Sequence, residues 1–164
     1  MGALVNLNCG RRRQLLIHGV PVGQKLADWP GEPQADAGSI VMVLAPDAPL
    51  SARQLARLAR RAPLGLARTG AIATHHSGDF VIAFSTAQRV SHGHGEEGLT
   101  RTLTVLAEEG PAINRLFQAV VEATEEAILN GLCMAETMRG RDGHVRYALP
   151  LDRVVAWSGS RVVA

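Results

Sequence analysis

The apolar residues of this chain fall into short continuous runs and longer periodic stripes, and the two patterns predict different elements. Ala3 to Asn8 reads as an opening strand that turns at Cys9-Gly10 and runs on through Arg11-Arg12-Arg13 into Leu15-Leu16-Ile17. Ile40 to Ala45 and Phe80 to Phe84 are apolar without polar alternation, the pattern of strands buried on both faces. From Ser51 the period changes to that of a helix. Ser51 and Gln54 have capping-box spacing, and Leu55, Leu58, Ala59, Ala62 and Leu66 share one side. Arg53, Arg57, Arg60, Arg61 and Arg68 share the other, Pro63 bends the helix and Gly70 suits a left-handed stop. A longer helix starts near Pro111, with Ile113, Leu116, Phe117, Val120, Val121, Ala127 and Ile128 against Glu122, Glu125 and Glu126. Strands that are apolar on both faces need helices as cover, so the pattern predicts a layered α/β fold.

The connections are uneven. Gly19 to Gly38 carries three prolines and Trp29 as its only large side chain, and reads as a long structureless loop of the functional or linker kind. Thr74 to Asp79 reads as a polar turn, and Met138 to Gly143 as a turn with Asp-Gly chemistry. A short strand over His144 to Leu149 and a helical turn over Leu151 to Val155 that packs Trp157 complete the reading.

Composition narrows the function. A net charge of +2 with 4% aromatics is too weak a basic excess, with too few stacking rings, for nucleic acid. The arginine stripe reads as a solvated face or one that meets acidic groups. No apolar run nears the ~20 residues of a membrane span, so a soluble cytoplasmic protein without membrane contact is expected. Cys9 and Cys133 lack partners at metal or redox spacing and read as reduced, structural thiols. His92 and His94 share a Gly-rich loop without a third ligand at a known spacing, so neither a metal nor another cofactor is expected.

The candidate chemistry sits at Asp36-Ala37-Gly38-Ser39, where a polar loop runs directly into the first apolar strand. A serine fixed there can attack the carbonyl before it, cut the Gly38-Ser39 bond and free its own amine. With a pKa near 8 that amine can act as base for the hydroxyl. Taken alone, the same residues also read as a strand that starts with Ser. Asn8 likewise reads as a strand-end turn former, and Ser77-Gly78-Asp79 as an ordinary turn.

Asn8-Cys-Gly-Arg-Arg, Gly19-Val-Pro-Val-Gly, Gly38-Ser-Ile, Leu64-Gly-Leu-Ala-Arg-Thr-Gly, Ser77-Gly-Asp-Phe, Ala83-Phe-Ser-Thr and Ala123-Thr-Glu-Glu-Ala-Ile-Leu-Asn occur in this order. The series resembles the DmpA family of self-cleaving serine aminopeptidases, which includes β-peptidyl aminopeptidases, over nearly the whole chain. The resemblance implies an α-β-β-α sandwich like that of N-terminal nucleophile hydrolases. It implies cleavage at Gly38-Ser39, with Ser39 as nucleophile and Asn8 as oxyanion donor. Ser77 and Asp79 fall on the motif beside the nucleophile, where the β-aminopeptidases resemble a Glu. Residues 1–38 match the end of the family's larger subunit and 39–164 its nucleophile-bearing smaller one. The implied substrates are small peptides, amides or esters, and the implied assembly is a homo-oligomer of processed heterodimers. Family members extend further upstream, so an incomplete fold lacking the upstream larger-subunit segment is expected. Two other readings stand beside it: an inactive remnant that serves as an interaction module, and an acyltransferase like ornithine acetyltransferase. The nucleophile of the latter resembles Thr, so Ser39 speaks against it.

Overall fold

A computed structural model describes residues 1–31, 38–89 and 102–158. Strand β1 (Gly2–Asn8) leads through a 3-10 turn at Arg12–Gln14 to a short helix, α1 (Val22–Lys25). Strand β2 (Gly38–Ala45) follows, then helices α2 (Ala52–Ala59) and α3 (Ala62–Arg68), strand β3 (Ser77–Ala83) and the long helix α4 (Ala112–Met134). A two-stranded hairpin of β4 (Met138–Arg139) and β5 (Val145–Arg146) precedes α5 (Leu151–Ser158). In the main sheet β2 is central, antiparallel to β1 and parallel to β3. The parallel pair requires a crossover, which α2 and α3 provide.

The alternation along β2 decides which side is covered. Ile40, Met42 and Leu44 are fully buried and join Leu58, Ala62 and Leu66 of α2 and α3 with Ile113, Val120 and Ile128 of α4. Burying each of the Val, Leu, Ile and Met side chains among them stabilises the fold by about 1.5–3 kcal/mol, so this layer is the main core. Helix α3 comes close to α4 at Gly65, where a Cβ would stand 2.8 Å from Cβ of Thr124. On the opposite face Leu4, Val41, Phe80 and Ile82 are exposed. The expected two-sided burial therefore holds on one side only: the described helices cover one face of the sheet and leave the other open. An apolar run signals that a strand tolerates cover on both faces, not that both covers are supplied by the same segment.

Two other expectations change in detail. The predicted bent helix is a pair, because Pro63 occupies the first turn of α3, where its missing N–H leaves no bond unmade. The capping box is present, with Ser51 Oγ accepting from Gln54 N and Gln54 Oε1 accepting from Ser51 N. The segment expected to be structureless holds α1, whose Val22 joins Ile17, Leu26, Leu129 and Val154 in a second core cluster. Trp29 anchors it by donating from Nε1 to the Ala148 carbonyl at 3.2 Å. Arg153 of α5 pairs with both carboxylate oxygens of Asp28 at 2.9 and 3.0 Å. Residues 32–37, with Asp36 and Ala37, and the loop carrying His92 and His94 lie outside the described residues.

The arginine stripe is largely spent within the chain. Arg53 and Arg57 reach Glu108 at 2.5 and 2.7 Å, Arg68 reaches Glu125 at 3.0 Å, and Arg61 lies 3.4 Å above the Phe117 ring centroid. Among the described residues no helix is long and apolar enough to cross a membrane.

Candidate active site

The sheet register brings three separated segments into one row. Ser39 lies opposite Asn8 on β1 and opposite Gly78 on β3. Directly opposed residues in neighbouring strands share a face, so Asn8, Ser39 and Gly78 cross one end of the sheet together. The row belongs to the open face, since Asn8 and Ser39 are exposed while Ile40 is buried. The Gly78 N–H donates to Ser39 Oγ across a long 3.4 Å. A side chain at Gly78 would intrude here, as its Cβ would stand 3.2 Å from the same oxygen.

Ser77 and Asp79 take the other face. They lie opposite Gly38 and Ile40, and the Ser77 hydroxyl donates to Asp79 Oδ1 at 2.7 Å. Both were expected in a turn and are instead in strand β3. Ser, Gly and Asp have low strand propensity, but pairing with the rigid β2 overrides it. With Gly38, Cys9 and Thr74 they line a small cavity of about 40 Å³ on the helix-covered side. They therefore flank the Gly38-Ser39 backbone without sharing a face with the Ser39 hydroxyl.

Gly38, the residue before Ser39, has no room for a side chain. A Cβ on Gly38 would lie 2.7 Å from the Asn8 carbonyl oxygen and 3.1 Å from Cys9 Cα. Cys9 is the nearest thiol to the row. Burial pushes its pKa up, and the negative charge of Asp79 pushes it further, which favours the protonated, unreactive thiol.

Behind the first row the open face becomes apolar. Asn6, Val41 and Phe80 are mutual cross-strand partners in the second row, and Leu4, Val43 and Ile82 in the third. Beside Asn8 a larger cleft of about 580 Å³ opens between β1 and the β5 hairpin, with Trp29 and Tyr147 among its walls. The sequence reading named Asn8, Ser39, Ser77 and Asp79 as candidates and did not single out Gly78 or Phe80, which the register sets beside Ser39 and Val41. The two-residue alternation that links Ser39 to Val41 and Gly78 to Phe80 carries that signal, but only once the β2-β3 register is known.

Residues 1–146 match the family described as Peptidase family S58. The chain is 39% identical over 168 residues to the beta-peptidyl aminopeptidase BapA of Sphingosinicella xenopeptidilytica, covering 94% of this chain and 40% of that protein. Among solved structures, the L-aminopeptidase D-Ala-esterase/amidase of Ochrobactrum anthropi, described as a variant of the Ntn hydrolase fold, superposes with a TM-score of 0.82 at 40% identity. A protein of Pyrococcus horikoshii OT3 superposes with a TM-score of 0.83 at 49% identity. Each superposition covers 94% of this chain and 41% of the other. The chain thus spans about 40% of the length of the curated relatives it matches. These matches bear out the DmpA resemblance and the α/β fold of that type.

Proposed function

The chain belongs to peptidase family S58, and from that membership we propose that it is the nucleophile-bearing part of a self-cleaving serine aminopeptidase whose nucleophile is Ser39. The observation that carries this reading is the single row of Asn8, Ser39 and Gly78 at one end of the sheet, with the hydroxyl on the open face. The substrates are small peptides, amides or esters with a free N-terminal residue. The working enzyme includes a larger-subunit segment of the kind its relatives carry, and assembles as a homo-oligomer of processed heterodimers.

Scission comes first in the proposed sequence. Ser39 Oγ adds to the Gly38 carbonyl carbon, its proton passes to the departing Ser39 nitrogen, and an ester replaces the peptide bond. Water hydrolyses the ester, leaving a Gly38 carboxylate, the Ser39 hydroxyl and a free Ser39 amine. The chain is then divided into 1–38 and 39–164. Gly38 is the residue that permits the attack, because a side chain there would collide with the Asn8 carbonyl.

Turnover reuses the same hydroxyl. The amine, with a pKa near 8 in the unperturbed state, takes the Oγ proton as Oγ adds to the substrate carbonyl. The side-chain amide of Asn8 donates to the oxyanion that forms, a contribution worth about 2.7–4 kcal/mol for one donor of this kind. The proton passes to the leaving amine, and water then hydrolyses the acyl-enzyme. Asp79, oriented by the Ser77 hydroxyl at 2.7 Å, lies on the backbone side of the serine and stabilises the ammonium form of its amine. Hydrolysis of an aminoacyl p-nitroanilide, lost in Ser39→Ala, tests the reading; turnover that survives this substitution would sink it.

The open face of the sheet favours a second reading, an interaction module without turnover. The two differ in whether Ser39 matters, since only the enzyme needs its hydroxyl.

A further inference from the structure

The row behind the nucleophile ends in an aromatic ring that the catalytic sequence above does not use. Phe80 is 63% exposed on the open face, and its ring does not extend away along the sheet. It folds back toward the end of the strand: the point where a Gly78 Cβ would sit is 3.1 Å from Phe80 Cε2 and 3.2 Å from Ser39 Oγ. Ring edge and nucleophile therefore lie on either side of the gap left by one missing side chain. Val41, two residues after Ser39 in the same strand, is the direct cross-strand partner of Phe80. Together they give the hydroxyl an apolar floor, and Asn6 closes the same row with a neutral amide. That row holds no charged residue.

We propose that Phe80 is a specificity-determining residue, its ring forming the wall against which an apolar side chain of the substrate's N-terminal residue packs while its carbonyl meets Ser39. The proposal rests on the hydrolase reading for its substrate and adds the class of residue accepted: aliphatic rather than charged. A substrate carbonyl at Ser39 Oγ places its Cα and side chain within a few bond lengths of that oxygen, on the face where the ring lies. Asn8 occupies the opposite neighbour position on that row, so the Gly78 side is the one left free for the side chain. Packing a leucine-sized group on the ring removes apolar surface from water on both partners, whereas glycine gains nothing from it.

The test uses the working enzyme, this chain together with the larger-subunit segment of a relative, in two arms. In the first, kcat/KM is measured for leucyl and glycyl p-nitroanilide with wild type, Phe80→Ala and Phe80→Leu. The leucyl-to-glycyl ratio is expected to fall roughly tenfold in Phe80→Ala and to recover most of its value in Phe80→Leu, as hydrophobic pockets discriminate on that scale. A damaged fold would lower both substrates together and leave the ratio unmoved. In the second arm, which needs no turnover, leucinamide and glycinamide are titrated into Ser39→Ala with and without Phe80→Ala. Leucinamide is expected to bind more tightly only where the ring is present. If wild type hydrolyses neither substrate but the binding preference depends on Phe80, the hydrolase reading fails and this inference stands. If hydrolysis occurs with a ratio indifferent to Phe80, or if leucinamide shows no preference for the intact ring, this inference is overturned.

Discussion

Asn8 and Ser39 are directly opposed partners at the last rung of the antiparallel β1-β2 ladder, with both side chains on the sheet's open face. Residues 31 positions apart in the chain are thereby fixed side by side by backbone pairing. The pairing gives Asn8 a role that can be separated from stability. Asn8→Ala is expected to lower kcat by ~10²- to 10³-fold. Because the side chain is exposed, the melting temperature should move little. A fall in melting temperature with kcat unaltered would make Asn8 a strand-end structural residue instead.

Gly38 faces the carbonyl of the same asparagine. Gly38→Ala would force a methyl group to within 2.7 Å of the Asn8 oxygen unless the strands part. Overpacking of this kind costs about 1–3 kcal/mol. Both the melting temperature and the rate of scission are expected to drop, the second because the row of Asn8 and Ser39 is displaced. Wild-type values of both would show that the strand end yields freely.

Asp79 is assigned to the amine of Ser39, and a carboxylate beside an ammonium raises the pKa of that amine. The acid limb of kcat/KM against pH reports deprotonation of this base in the free enzyme. In Asp79→Asn the limb is expected to shift to lower pH, while a merely structural aspartate would lower the whole profile without moving its limb.

Cys9 provides an independent reporter of the same carboxylate. Its thiol is raised by burial first and by Asp79 second, so Asp79→Asn should bring it part of the way back toward the ordinary range. The thiolate is the reactive form, so alkylation of Cys9 near pH 8 should quicken in the variant, with Cys133 as the internal control. Equal rates at Cys9 in both proteins would mean that Asp79 does not face it.

The open sheet face should make the chain associate when nothing covers it. Leu4 and Ile82 are 70% and 57% exposed in the third row, two rows behind that of Ser39. Wetting a few hundred Å² of apolar surface costs several kcal/mol at ~25 cal/mol per Å². Sedimentation at tens of micromolar is expected to show species larger than a monomer, shifted toward monomer by Leu4→Lys combined with Ile82→Lys. A compact monomer before substitution would contradict the reading of this face.

Local signals carried the parts of this structure that local physics controls. The Ser51-Gln54 box, the α4 stripe and the apolar β2 run are properties of neighbouring residues, and each appears where the sequence places it. Ser77 to Asp79 was misread because its composition favours a turn, and only its ladder with a strand 39 residues earlier makes it β-structure. The region around α1 was misread for the same reason: Val22 and Leu26 find their apolar partners in Ile17, Leu129 and Val154, which no window over the loop contains. The identities of Asn8, Ser39, Ser77 and Asp79 came from the order of motifs. What the sequence could not supply was their division between two faces of one sheet, which depends on register. The closeness of Gly78 and Phe80 to Ser39 was not legible either, because the gap left by a missing side chain and the fold of a ring are features of space alone.

The central claim is that one hydroxyl both cuts the chain and turns over substrate, and intact-mass analysis under denaturing conditions tests it most directly. For a folded preparation that hydrolyses an aminoacyl p-nitroanilide, the account predicts two chains, residues 1–38 and 39–164, and a single uncut chain without activity for Ser39→Ala. A hydrolysing preparation that remains one full-length chain, or a cut that persists in Ser39→Ala, would contradict it.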